Sequence, residues 1–158
     1  MRRILFALIS SVLALTLSAC GAGFNASTRQ VTQVTDGVES AITKDGNNIK
    51  LRNILVVETA LGAGVLVGTL VNSNSDDDAL LGVAINGQVA TITGLNTVNE
   101  NMPVTFEGAS ANAKAVVPVL GAKAGSHVQV TLFFARAGEI TVQAIIRAAI
   151  DQYAGVSA

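Results

Sequence analysis

The chain has 158 residues, half of them apolar, with 10 basic and 11 acidic side chains and no Trp. A slightly acidic chain without basic clusters lacks the electrostatic footprint of a nucleic-acid binder and the positive patch that anionic lipid headgroups attract. A single Tyr leaves few stacking platforms for bases or sugars.

In chain order, Arg2 and Arg3 form a positive opening. An apolar run follows from Ile4, broken only by Ser10, Ser11 and Thr16, and leads to Leu17, Ser18, Ala19 and Cys20. This is the pattern of a bacterial lipobox at the end of a secretion signal. The run is sixteen residues long, short of the roughly 20 that span a bilayer. Cleavage before Cys20 would free its thiol for diacylglycerol and its amine for acylation. The expected cofactor is therefore that covalent lipid alone. The expected location is the outer, extracytoplasmic face of the plasma membrane, held by lipid. Two or three acyl chains hold a protein stably where one does not. Cys20 is the only cysteine, so no intrachain disulfide can form. Loss of Arg2 and Arg3 leaves 8 basic against 11 acidic side chains.

From residue 21 to about residue 30 the chain is small and polar, as a flexible spacer is. Asn25, Ala26 and Ser27 match a glycosylation sequon, which carries no weight in a bacterial lipoprotein. Val31, Val34, Val38 and Ile42 are spaced by threes and fours, as in a helix. Thr32, Thr35, Asp36 and Gly37 weaken that reading, and an extended arm fits as well. The expected division is a leader over 1–19 and a lipidated N-terminus, spacer and arm over 20–42. A β-sandwich over 43–149 and a tail over 150–158 complete it.

Past Ile42 the period is two. Lys44 to Asn47 is a turn signal. Ile49, Leu51, Leu55 and Val57 fall on one face; Lys50, Arg52 and Glu58 fall on the other. Val65, Val67, Thr69 and Val71 alternate, and Leu81, Val83 and Ile85 run into Asn86-Gly87, a strong hairpin signal. Val89, Thr91 and Thr93 return. A short strand is expected over 103–107 and another over 113–120, where Pro118 marks an edge or bulge. Val128, Val130, Leu132 and Phe134 alternate with Gln129, Thr131 and Phe133. Ile140, Val142, Ala144 and Ile146 return after Gly138. A helical turn near 148–153 and a frayed tail close the chain. Seven to nine strands at this spacing predict an all-β, antiparallel sandwich.

Residues 72–83 (Asn72, Asp77, Leu80, Gly82 and Val83 among them) and residues 125–142, with Leu132, Phe134, Gly138 and Val142, resemble two stretches of the periplasmic copper chaperone PCuAC family. With the lipobox, the spacer and residues 49–55, the chain is similar to the mycobacterial LpqE-type lipoproteins. The resemblance covers roughly residues 45–148. It implies a cupredoxin-like or immunoglobulin-like sandwich. It also implies a partner, because such lipoproteins are accessory subunits of the actinobacterial cytochrome bcc–oxidase supercomplex.

The PCuAC family binds Cu(I) through two His and two Met, with a His-x-Met pair before the closing hairpin; soft thioethers suit Cu(I). Here residues 116–121 hold neither His nor Met. His127 and Met102 are the remaining soft-metal candidates, and they read as a strand-face residue and a packing residue. The expectation is a retained fold and a lost metal site. Asp76, Asp77 and Asp78, with Asn72 and Asn74, form the one acidic cluster, a candidate for calcium without the spacing of an EF-hand. A solvated, capped turn is the plainer reading.

No catalytic constellation emerges. His127 is the sole base for a Ser-His-Asp triad, and no nucleophile elbow accompanies it. Residues 62–68 are Gly-rich but lack the Lys-Ser/Thr of a phosphate loop. Glu58, Glu100, Glu107 and Glu139 are the carboxylates that folding would have to pair for glycoside chemistry. The expected function is a non-enzymatic, membrane-anchored interaction module, docked on a membrane protein complex. A copper-handling role in oxidase assembly and an envelope carrier of lipid or apolar ligand are the alternatives. A carrier would need an internal pocket.

Overall fold

A computed structural model describes residues 36–158, and Cys20 with the expected leader and spacer lies outside them. Eleven strands and one 3₁₀ turn are found among the described residues. They are β1 (Val38–Ile42), β2 (Ile49–Glu58), β3 (Gly64–Asn72), β4 (Asp78–Ile85), β5 (Gln88–Val89) and β6 (Thr91–Gly94). β7 (Thr97–Val98), β8 (Val104–Phe106), β9 (Ala113–Val117), β10 (His127–Phe134), β11 (Gly138–Ala148) and the 3₁₀ turn Asp151–Tyr153 follow. The all-β sandwich expected from the period-two pattern is present. The strand number exceeds seven to nine for three local reasons. The arm contributes β1, the return strand after Gly87 divides at Ala90, and β7 is too short to leave a pattern.

The hydrogen-bonded order is β5-β4-β10-β11-β2-β3-β8-β9-β6, with β1 on β2 and β7 on β4. The two ends of this path, β5 and β6, are separated in sequence only by Ala90. That buried residue donates its N–H to the Val83 carbonyl at 2.8 Å. The chain thus crosses from one layer to the other there, and the sheet wraps on itself around a single core. Most neighbours are antiparallel, but β11 runs parallel to β2, with Ile146 beside Val56, and β8 runs parallel to β9, with Phe106 beside Ala113. The antiparallel pairing expected from the sequence is corrected at those two pairs. The edge of β2 is shared, with β1 on its first half and β11 on its last residues.

The helical alternative for residues 31–42 fails over Val38–Ile42, which is strand; Val31 and Val34 lie outside the described residues. The Gly37 N–H donates to the side-chain oxygen of Asn53 at 2.8 Å. Asn53 itself has φ of 52°, a left-handed conformation that Asn tolerates better than most residues. It forms a bulge where the β2–β3 register shifts between Arg52 and Leu55. One inserted residue reverses every side chain beyond it. Ile49 and Leu51 point into the core, but beyond the bulge Ile54 and Val56 do so, while Leu55 and Val57 do not join that cluster. Leu55 and Val57 pair with Val67 and Val65 of β3 and are nonetheless fully buried. A second irregularity lies opposite Phe133 and Phe134, whose partners are Gly82 and Leu80. It turns Leu80 inward and leaves Leu81 exposed, against the expected phase.

In β3 the core takes Leu66 and Leu70, opposite in phase to Val65, Val67, Thr69 and Val71, whereas in β10 and β11 the expected alternation holds. Val128, Val130, Leu132 and Phe134 are buried beside Val142, Ala144 and Ile146. Phe106, Leu66, Leu70, Ile85 and Leu120 fill the centre. Both sharp turns form as the sequence predicts. Asp45 and Gly46, then Asn86 and Gly87, have positive φ at both central positions, the geometry that matches strand twist in a two-residue hairpin. Pro118 follows the last residue of β9 and ends it. The tail is tied back, with the Val156 N–H donating to the Tyr153 carbonyl at 3.0 Å.

Candidate functional site

The three consecutive aspartates diverge. Asp78 is only 7% exposed. Its Oδ1 accepts the N–H of Ala79 at 2.7 Å and of Arg136 at 2.9 Å. Its Oδ2 accepts the N–H of Ala137 at 3.0 Å. A buried carboxylate is tolerable when it receives such charge-assisted bonds. Asp78 thereby fastens the start of β4 to the β10–β11 hairpin turn. Asp76 pairs with the Arg136 guanidinium at 2.9 Å, and Asp77 accepts the Glu100 N–H at 3.2 Å. Asn72 is buried below them and donates to the carbonyls of Asp76 and Val98. The cluster acts as a clamp made of peptide groups and Arg136, a residue that no motif singles out. Among the described residues no three or more His, Cys, Asp or Glu gather into a metal-holding group.

His127 is exposed at the start of β10, and Met102 is exposed in the loop between β7 and β8. Register places them at opposite ends of the sandwich. His127 lies level with Ile145 near the finish of β11, whereas Met102 lies beside the Asn72 finish of β3, where Asn101 donates to the Asn72 carbonyl at 2.8 Å. β11 and β3 run in opposite directions against β2, so their finishing ends are opposed. The glutamates are dispersed as well. Glu58 pairs with Lys123 at 2.7 Å and Glu107 with Lys114 at 3.3 Å. Glu100 and Glu139 face solvent.

The residues that come together are ones no motif flagged. Asp36 pairs with Arg147 at 2.9 Å and accepts from Gln152 at 3.1 Å and from the Tyr153 hydroxyl at 3.3 Å. These groups line a groove of about 380 Å³ at the finish of β11. Burial first, then the charge of Asp36, pushes the Tyr153 hydroxyl above the usual tyrosine range. The Nε of Arg147 is buried without a hydrogen-bond partner among the described residues. Next to this groove, the Lys123 ammonium and then the Ala124 N–H hold the Glu58 carboxyl below the usual carboxylate range. The arrangement is a clasp that joins the first described residue to the last strand and the tail. Contact between residues over 100 positions apart leaves no periodic trace in a sequence.

The region expected to carry the family's His-x-Met pair is aliphatic. Val117 and Leu120 are buried, and Val119 is exposed between them. The backbone here is fixed by the Leu120 N–H donating to Gly62 at 2.9 Å and by the Asn86 side chain donating to the Leu120 carbonyl at 3.0 Å.

Solved structures share the fold. The apo PCuAC domain from PmoF1 is 21% identical with a TM-score of 0.58, covering 70% of this chain and 99% of that domain. The copper-bound PCuAC domain from PmoF2 is 23% identical with a TM-score of 0.56, covering 70% of this chain and 98% of that domain. The apo PmoF2 domain is 21% identical with a TM-score of 0.55, covering 72% of this chain and 98% of that domain. No family model matches the sequence, and no curated protein matches it.

Proposed function

We propose that this protein is a non-enzymatic interaction module on a PCuAC-like scaffold, tethered to the outer face of the membrane by lipid on Cys20. One observation carries the reading. The loop after β9 presents Pro118, Val119 and Leu120 where the resembled family carries its His-x-Met pair. His127 and Met102, the exposed base and the exposed soft ligand, stand at opposite ends of the domain, which favours a surface that acts by contact. The resemblance to LpqE-type lipoproteins nominates a respiratory membrane complex as the partner. A lipid tether raises the local concentration of the domain beside such a partner, so a small interface suffices.

Copper handling is the second reading, favoured by the likeness to a copper-bound PCuAC domain. It requires ligands from a second chain or from a partner. Affinity purification of the lipidated, C-terminally tagged protein in mild detergent separates the two. Respiratory subunits without stoichiometric copper are the expected result. Stoichiometric copper on the lipoprotein would favour the second reading, and repeated absence of those subunits would count against the first.

A further inference from the structure

Seven large apolar side chains stand exposed on the described surface. Singly, such residues are ordinary. Their distribution is not even. Leu61 is 95% exposed, Val89 81%, Val119 63% and Ile150 62%, and all four belong to one end of the sandwich. Leu61 is in the β2–β3 turn, on which the loop after β9 rests through the Leu120 to Gly62 bond. The Gln88 side chain donates to the Val119 carbonyl at 2.6 Å and brings the β4–β5 hairpin with Val89 alongside. The Ala149 N–H donates to the Glu58 carbonyl at 3.1 Å and sets Ile150 beside the same turn. Leu81 and Phe133 lie instead on the outer face of β4 and β10, and Met102 at the opposite end.

The chain enters the domain at this apolar end. β1 runs antiparallel to β2 with Val38 level with Ile54, so Asp36 lies toward the Glu58 end and is clasped there by Arg147 and Tyr153. Only fifteen residues, small and polar at first, separate Asp36 from Cys20. As a random coil, a chain of that length would have an end-to-end distance of about 20 Å. A ten-residue strand such as β2 spans about 33 Å. The tether therefore favours presentation of this end to the lipid over presentation of the far end. Of the charges at this rim, Glu58 with Lys123 and Asp36 with Arg147 are already paired, and Asp151 next to Ile150 is exposed. Attraction to anionic headgroups is not required; aliphatic side chains at an interface bind by burying apolar area.

The geometry points to a lipid-facing end of the domain, in which Leu61, Val119, Val89 and Ile150 rest in the headgroup region of the bilayer that holds the Cys20 lipid. The inference rests on the lipoprotein reading of Cys20. It fixes an orientation, with the far end and the outer face of β4 and β10 turned away from the membrane and left open for a partner.

The test uses the full-length lipidated protein in vesicles of phosphatidylcholine and phosphatidylglycerol containing brominated acyl chains. The Cys20 thiol is occupied by lipid, so Leu61→Cys, Val119→Cys and Met102→Cys each accept one fluorescent label. Lipid quenching at 61 and 119 is expected to exceed that at 102 by about threefold or more. Leu61→Asp together with Val89→Asp, read with the label at 119, is expected to reduce that excess to parity; both side chains are exposed, and circular dichroism checks the fold. Equal quenching at all three positions, on protein whose mass shows lipidated Cys20, overturns the inference and spares the anchor. Labels at 61 and 119 that are unquenched in vesicles but shielded in native membranes also overturn it, in favour of a protein partner. A Cys20 without lipid mass overturns the anchor reading and the inference with it.

Discussion

Asp76, Asp77 and Asp78 look alike in sequence and have different tasks in the structure. Removing the Asp78 carboxylate leaves two hairpin N–H groups without their partner, so Asp78→Ala is expected to cost about 3 kcal/mol. Asp76 and Asp77 are exposed at their contacts, and alanine there is expected to cost less than about 1 kcal/mol. Urea unfolding of the three variants measures the order. Equal losses, with a calcium-dependent rise in Tm for the wild type alone, would point to a shared cation site instead. Tyr153 offers a second reading at this scale, because it is the only Tyr and its ionisation is seen directly in absorbance. Its hydroxyl is pushed up in the folded protein. The stability it contributes is therefore present below the unfolded tyrosine range and lost as pH rises through the folded value. Asp36→Asn is expected to move the titration down but not to that of free tyrosine, since burial is the larger cause. Glu58 has the opposite sign. Its carboxyl is held low, so its contribution is present above the usual carboxylate range and lost as pH falls through the lowered value.

At the scale of elements, the bulge at Asn53 decides which side of β2 faces the core. Its partner strand accommodates it with Gly68, at φ of 141°, where a Cβ would sit 2.6 Å from Ile54 Cδ1 and 2.9 Å from the Asn53 carbonyl oxygen. Gly68→Ala is expected to lose about 2 kcal/mol or more through clash and strain together. Gly87 also has positive φ but opens onto empty space. Gly87→Ala is expected to lose only about 1 kcal/mol, the backbone cost alone. Thermal melts of the two variants test the contrast; equal shifts would mean that the close approach at Gly68 relaxes without cost. The same bulge explains why strict alternation misplaced Leu55 and Val57. A period-two pattern carries no mark of one inserted residue when both faces of the strand are apolar. β10 and β11 have no such insertion, and there the pattern identified the buried face residue by residue.

At the scale of the described domain, the fold is that of PCuAC domains, while its two soft-ligand candidates sit at opposite ends. One His and one Met so placed cannot close around a single ion that prefers several soft donors. Titration of the monomer with Cu(I) is expected to show no tight one-to-one binding, and a tight site would require ligands now placed outside residues 36–158. The closure of the sheet through Ala90 and the clasp at Asp36 connect remote parts of the chain. Both raise the cost of opening the domain.

The sequence by itself determined the class of fold. Alternation, the Asp-Gly and Asn-Gly turns and the resemblance over residues 72–83 and 125–142 each depend on neighbours in the chain, and local spacing records them. It also showed the aliphatic character of residues 116–121, since identity needs no folding to be read. Only the tertiary structure decided the parallel pairing of β11 with β2, the roles of the three aspartates and the gathering of Asp36, Arg147, Gln152 and Tyr153. It alone collected Leu61, Val89, Val119 and Ile150 at the end where the chain enters. These are contacts between segments far apart in sequence, set by strand order and by two bulges. Neither strand order nor a bulge between apolar neighbours changes the composition or the period of the chain.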